Sequence, residues 1–228
     1  DREAILIGLT GTPLIGDQRK SKDIFGDYIH KYYYNSSIAD GYTLRLIREG
    51  IETKYKMQLE KALGEIKIPK GTIDKELIYA SEKFAEPMLD YIVEDFQKSR
   101  IRFGDKTIGG MVVCGSSEQA RKLFEIFNRK SSQQASKMIE LPSALAIAAE
   151  PYSKYANLKA SLILYDEGTS EERKEKVEEF KHGKIDFLFV YNMLLTGFDS
   201  SRLKKLYLGR VIRDHNLLQT LTRVNRPY

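Results

Sequence analysis

Arg223 and Arg226 lie three positions apart in the run Gln219-Thr-Leu-Thr-Arg223-Val-Asn-Arg226-Pro-Tyr228, with Gln219 one helical turn before the first. On a helix this spacing turns both guanidinium groups toward one side, where they can converge on a single oxyanion cluster. Arginine suits that task because its planar fork stays ionised and matches phosphoryl oxygens. The chemistry implied is stabilisation of charge moving between phosphoryl oxygens, the work of an arginine finger. A solvated helix face carrying salt bridges has the same look, so the surrounding elements decide.

Just upstream, Lys184-Ile-Asp-Phe-Leu-Phe-Val190 is a short apolar run with strand character, followed by Asn192 and then Leu195-Thr196-Gly197-Phe198-Asp199. Strand, glycine turn and acid in that order mark a ligand-facing strand end in an α/β sheet. A Cβ at Gly197 would keep the backbone away from a ligand. At the other end of the chain, Ala4-Ile-Leu-Ile-Gly-Leu9 is long enough for a buried parallel strand and runs into the turn Thr10-Gly11-Thr12-Pro13.

Between these ends the pattern alternates. Asp74 to Ser99 reads as a helix that Pro87 should bend or split. Gly109 to Cys114 reads as a strand, and Ser116-Ser-Glu-Gln119 opens a helix with Ala120, Leu123, Phe124 and Phe127 on one apolar face. Ser131 to Ser136 reads as a polar loop, and Pro142 to Tyr155 as a turn or short helix. Ala160 to Tyr165 makes the next strand, and Thr169-Ser-Glu-Glu172 caps the helix that carries Arg173, Val177 and Phe180. Leu206 to Leu208 fits another short strand. Such alternation predicts an α/β fold, a parallel sheet with helices on both faces.

Composition excludes more than it selects. The 228 residues, 42% of them hydrophobic, can supply a core. The 37 Lys and Arg against 32 Asp and Glu give a net charge of +5, which permits nucleic-acid contact without requiring it. Cys114 is the sole cysteine, which excludes an intramolecular disulfide and a zinc site built from cysteines, and fits a reducing cytoplasm. No apolar run approaches the ~18 residues of a membrane span. The N-terminus starts inside a strand, and both ends look cut.

The segment from Leu162 to Arg226 resembles the second RecA-like domain of superfamily 2 helicases and DNA translocases. The resemblance rests on Tyr165 to Thr169, Arg173, Phe180-Lys-His-Gly183, Phe187 to Val190, Thr196-Gly-Phe-Asp199 and the Gln219 to Arg226 run. Three positions depart from the family pattern: Thr222 and Asn225 stand where glycines are usual, and Asn192 where threonine is. In the same family a turn like Thr10-Gly11-Thr12 closes the first RecA-like lobe and links nucleotide to DNA. As a bare turn, it simply ends a strand.

Phe25-Gly-Asp-Tyr-Ile-His-Lys-Tyr-Tyr-Tyr34, then Ile38-Ala-Asp-Gly-Tyr42, and the ending Thr-Arg-Val-Asn-Arg-Pro-Tyr resemble the restriction (R) subunits of type I restriction-modification enzymes. Tyr28, Tyr32 and Tyr34 should alternate on a half-buried strand or pack as core. The resemblance implies residues 1–75 as the end of a first RecA-like lobe plus a connecting segment. Residues 76–228 would be a second RecA-like lobe, the helicase C-terminal domain, truncated at its C-terminus. It also implies an ATP-dependent translocase on double-stranded DNA that works with methyltransferase and specificity subunits, in the cytoplasm and away from membranes.

Carried over residue by residue, Arg226 is the finger and Arg223 its support. Gly197, Asp199 and Gln219 complete the ATP-facing set, and Thr10, Thr12, Ser116 and Thr196 face DNA. The chain contains no Gly-x-x-x-x-Gly-Lys-Ser/Thr loop. ATP and Mg2+ are therefore expected in the intact parent only, and this fragment alone is expected to be inactive. Asp166 and Glu167 end a strand as a metal-binding acid pair would, but they follow the Thr-Gly-Thr turn instead of preceding it and read as loop residues. Two other readings stand beside the first: the motor of a different superfamily 2 repair helicase, and a non-catalytic nucleic-acid-binding module.

Overall fold

A computed structural model describes residues 5–13, 20–65, 75–139, 154–155, 157–194, 198–210, 212 and 214–225. In chain order the helices and strands are α1 Ser21–Phe25, α2 Tyr34–Ala39, α3 Thr53–Glu65, α4 Lys75–Ala80, α5 Glu82–Phe103, β1 Gly109–Val113, α6 Ser117–Ile139, β2 Ala160–Ile163, α7 Ser170–Lys181, β3 Phe187–Val190, β4 Leu203–Leu208 and α8 Asp214–Leu221. The strands form one sheet in the order β2-β3-β1-β4, and each pairing is parallel. This is the expected RecA-like α/β arrangement.

Strand periodicity sorts the side chains into two cores. Val112, Leu162, Phe187 and Phe189 join Leu89, Ile92 and Phe96 of α5 and Leu123, Ile126 and Phe127 of α6 on one face. Met111, Val113, Ile163, Leu188 and Val190 meet Phe180 of α7, with Phe198 and Ile212, on the other. β1 runs between the two because its first two residues lack side chains. A Cβ on Gly109 would lie 2.5 Å from the Phe180 ring, and one on Gly110 would lie 3.0 Å from Phe187.

The amino edge of the sheet is closed by charge. The Asp186 carboxylate accepts from the Lys159 N–H at 2.9 Å and from the Arg100 guanidinium, and Arg202 approaches it at 3.8 Å. Arg202 also donates to the carbonyls of Thr107, Phe180 and Ile185, so one buried side chain ties β1, α7 and the start of β3 together.

The N-terminal segment joins this body at several points. Glu94 of α5 accepts from Lys154, which with Tyr55 of α3 holds its carboxyl down at about 2. Lys205 of β4 pairs with Glu49, and the Leu44 N–H donates to the Asn225 carbonyl at 2.6 Å.

Several local expectations are corrected. The long helix breaks at Ser81, whose extended backbone (ψ 140°) separates α4 from α5, whereas Pro87 is carried inside α5. Pro87 lies early in the helix, where its missing N–H frees only the carbonyl of the exposed Lys83. α6 runs straight through Ser131 to Ser136, with Ser136 Oγ bonded back to the Ser132 carbonyl. Most of Pro142 to Tyr155 lies outside the described residues. Residues 5–10 form no strand, and Ile5, Leu6, Ile7 and Leu9 are exposed, because none of the four described strands pairs with them. Tyr28, Tyr32 and Tyr34 are exposed as well. Tyr34 opens α2, and its hydroxyl bridges the Leu44 carbonyl and the Leu46 N–H.

Removing the carboxylate at the amino edge would strand two buried guanidinium groups. Asp186→Ala is therefore expected to cost about 3–5 kcal/mol in urea unfolding. A loss below about 1 kcal/mol would show that the edge is not held this way.

Candidate functional site

The carboxyl ends of β1, β3 and β4 carry the loops in which the sequence motifs sit. After β3 the chain turns through Asn192 (φ 54°) and Leu194 (φ 60°). Asparagine tolerates the left-handed region and a β-branched residue does not, which accounts for Asn192 standing where threonine is usual. Leu194 is held in its strained conformation by packing against the second core. Thr196 and Gly197, next in the chain, lie outside the described residues, as does Arg226.

The chain then crosses the second face through buried Phe198 and exposed Asp199. Here the final motif meets the glycine-turn motif. Helix α8 ends at Leu221, so Arg223 stands in a turn and not on the helix that the spacing suggests. Its Nε donates to the Gln219 carbonyl at 3.1 Å and its Nη1 to the Phe198 carbonyl at 2.8 Å. Arg223 thus holds the loop next to Asp199, spending part of its fork on backbone.

A cavity of about 880 Å3 lies beside this contact. It is lined by Gly11 of the Thr10–Thr12 turn, by Asp199 and Ser200, by Thr222 and Asn225, and by tyrosines that include Tyr33 and Tyr42. Within the turn, the Thr12 N–H donates to Thr10 Oγ1 at 3.1 Å. Three separated motifs therefore share one cavity. Ser200 was not singled out by sequence, yet it is buried and its Oγ has no hydrogen-bond partner among the described residues. A serine within a polar turn carries no distinguishing sequence signal. The tyrosines were seen, and their place on a cavity wall was not.

Ser116 is elsewhere. It sits at the carboxyl end of β1, is buried, and accepts from the Gln119 N–H at 3.1 Å as the cap of α6. Gln119 Oε1 accepts in turn from the Gly115 N–H at 2.6 Å, one residue before the position that a standard capping box uses. Thr169 and Glu172 form the full reciprocal box at the start of α7. Asp166 and Glu167 form ion pairs with Arg121 at 3.0 and 3.3 Å, as loop residues do, and Arg121 pulls the Asp166 carboxyl down. No group of three His, Cys, Asp or Glu that could hold a metal occurs among the described residues.

Comparison with known proteins agrees with this arrangement of motifs. Residues 152–228 match the family described as type I restriction enzyme subunit R domain 3, and residues 2–76 match the SWI2/SNF2 ATPase family. A type I restriction enzyme endonuclease subunit of Staphylococcus aureus (strain COL) is 27% identical over 99% of this chain and 26% of its own length. Over nearly its whole length the chain is similar to type I restriction enzyme endonuclease subunits.

Other R-subunit relatives are a Staphylococcus saprophyticus endonuclease subunit, 27% identical over 96% of this chain and 26% of its own length, and the HindI endonuclease subunit of Haemophilus influenzae, 22% identical over 99% and 22%. The chain spans about a quarter of the length of these curated relatives. Among the described residues, no helix is long and apolar enough to cross a membrane.

The contact between Arg223 and the Phe198 carbonyl joins two of the sequence motifs and involves a charged donor. Arg223→Met, which keeps the stem and removes the fork, is expected to lose about 1.5–3 kcal/mol in chemical unfolding. An unchanged unfolding midpoint would mean that the loop is held by packing alone.

Proposed function

We propose that this R-subunit segment serves an ATP-dependent double-stranded DNA translocase of a type I restriction endonuclease. Residues 76–228 are its second RecA-like lobe, and residues 1–75 are the end of the first lobe with the connecting segment. The observation that carries this reading is the single cavity shared by Gly11, Asp199, Thr222 and Asn225, with Arg223 bridged to the Phe198 carbonyl beside it.

In this reading a nucleotide lies between the lobes, with its phosphates and Mg2+ held by the remainder of the intact protein. Mg2+ itself would neutralise developing phosphoryl charge. The described residues of this segment offer no carboxylate cluster to hold it. With no Gly-x-x-x-x-Gly-Lys-Ser/Thr loop in its sequence to cradle phosphates, the segment is expected to be inactive alone.

Its own contribution is positional. Arg226 would reach the terminal phosphate, while Arg223, fixed to the Phe198 and Gln219 carbonyls, holds the turn that precedes it in sequence. Asp199 and Gln219 orient the arginines, and Gly197 admits the nucleotide. A shift of Arg226 on hydrolysis would pass through Arg223 to Phe198 and so to the Thr196 loop, which faces DNA with Thr10, Thr12 and the Ser116 turn. Closing and reopening of the lobes would then move the DNA contacts relative to each other. Such contacts go to phosphate oxygens and carry no sequence information, which suits a motor. Site choice would fall to the specificity and methyltransferase subunits.

The test is ATP hydrolysis by the intact R subunit with and without linear duplex DNA. Arg226→Ala is expected to lower the DNA-stimulated rate by about 10³- to 10⁵-fold. Turnover that survives the substitution would favour a non-catalytic binding role for these motifs, and strand displacement without net translocation would favour a repair helicase.

A further inference from the structure

The ends of β1 and β4 lie side by side and lead to opposite faces of the sheet. From β1 the chain passes through Gly115 and Ser116 to α6, on the face of Phe187 and Phe189. From β4 it passes through Gly209 and Arg210 toward α8, whose Leu217 packs on the face of Leu188 and Val190. Neighbouring parallel strands that diverge in this way open a crevice at their carboxyl ends, the place where α/β sheets bind ligands.

Arg210 stands in that crevice. The Gly209 N–H still donates to the Val113 carbonyl at 2.8 Å, so the backbone carrying Arg210 remains tied to the sheet. The guanidinium carbon lies 5.3 Å from the ring centroid of Tyr191, the first residue after β3. A guanidinium held over an aromatic face by cation–π attraction still has N–H groups whose hydrogen bonds phosphate oxygens can accept.

Among the described residues, no acceptor meets the Arg210 Nε. It is buried, and no carboxylate among the described residues forms an ion pair with Arg210. Glu118, at the start of α6, accepts from Ser117, and Asp166 and Glu167 follow β2 at the opposite edge of the sheet, paired with Arg121. The other ionisable group that senses its charge is the Cys114 thiol, which burial pushes up to about 12 while Arg210 pulls it the other way. Ser116, expected from sequence to face DNA from this edge, has its hydroxyl occupied as a helix cap.

We propose that Arg210 binds a backbone phosphate of the DNA strand in the crevice between the carboxyl ends of β1 and β4, supplying at this edge the contact expected of Ser116. The assignment rests on the reading of the segment as part of a DNA translocase. It makes one sequence-independent phosphate contact of the second lobe depend on an arginine whose counterion is the ligand itself.

The experiment is duplex DNA binding by the intact R subunit between 50 and 200 mM salt, for the wild type, Arg210→Gln and Arg210→Lys. Loss of one phosphate contact flattens the dependence of log K on log[salt] by about 0.9, so the affinity of Arg210→Gln should fall about threefold less than that of wild type across this range. Arg210→Lys should keep the wild-type slope. A second measurement needs no variant: modification of Arg210 by phenylglyoxal, followed by mass spectrometry, should be suppressed when DNA is bound. Salt-dependent binding by the wild type with an unchanged Arg210→Gln slope, or with undiminished modification of Arg210 in the complex, would overturn the role of Arg210 alone. A wild type without salt-dependent DNA binding would overturn the DNA reading itself, and this proposal with it.

Discussion

Strand β1 can lie in the middle of this sheet only because residues 109 and 110 carry no side chains. Phe180 closes over the first from one face, and Phe187, tilted against Phe96 at 4.2 Å between ring centroids, closes over the second from the other. With β1 buried on both faces and paired with β3 and β4, helices must cover both sides. α5 and α6 take one and α7 and α8 the other. The divergence at the carboxyl edge, and the crevice there, follow from that division.

The two edges of the sheet do different work. At the amino edge, Asp186, Arg100 and Arg202 satisfy one another and the nearby carbonyls, and every member of the network is at least half-buried. At the carboxyl edge, Asn192 and Leu194 adopt left-handed backbone, and Arg210 Nε has no hydrogen-bond partner among the described residues. On the second face, Ser200 keeps a buried hydroxyl without a partner among them, beside the cavity. Strain and unmet polar groups thus gather where ligands are expected, as they do in folds that keep stability apart from function. Arg223 connects the cavity side to the loops, because one guanidinium holds both the Gln219 and the Phe198 carbonyl.

The sheet was legible because its signals are local. The short apolar run Phe187 to Val190, the glycines that open β1 and the Thr169–Glu172 box each act within a few residues. The misread elements depend on distant partners. Ala4 to Leu9 has strand composition, yet a strand forms only beside another strand. Ser131 to Ser136 has loop composition, yet α6 carries it because its inner face is already anchored by Leu123, Ile126 and Phe127. The arginine pair was legible as chemistry, but the turn that takes Arg223 off the helix is set by the Phe198 carbonyl, 25 residues away in sequence. Arg210 gave no signal of its own, since an arginine after a strand becomes informative only once its neighbours are known to lack a carboxylate for it.

The central claim is that the turn carrying Arg223 and the loop carrying Phe198 and Asp199 respond as one unit to nucleotide. Hydrogen exchange across the intact R subunit, with and without a non-hydrolysable ATP analogue, tests it most directly. The account predicts that amides in residues 198–200 and 222–225 gain protection together, while those of β1 stay unchanged. Protection confined to one of the two segments, or absent from both, would contradict it.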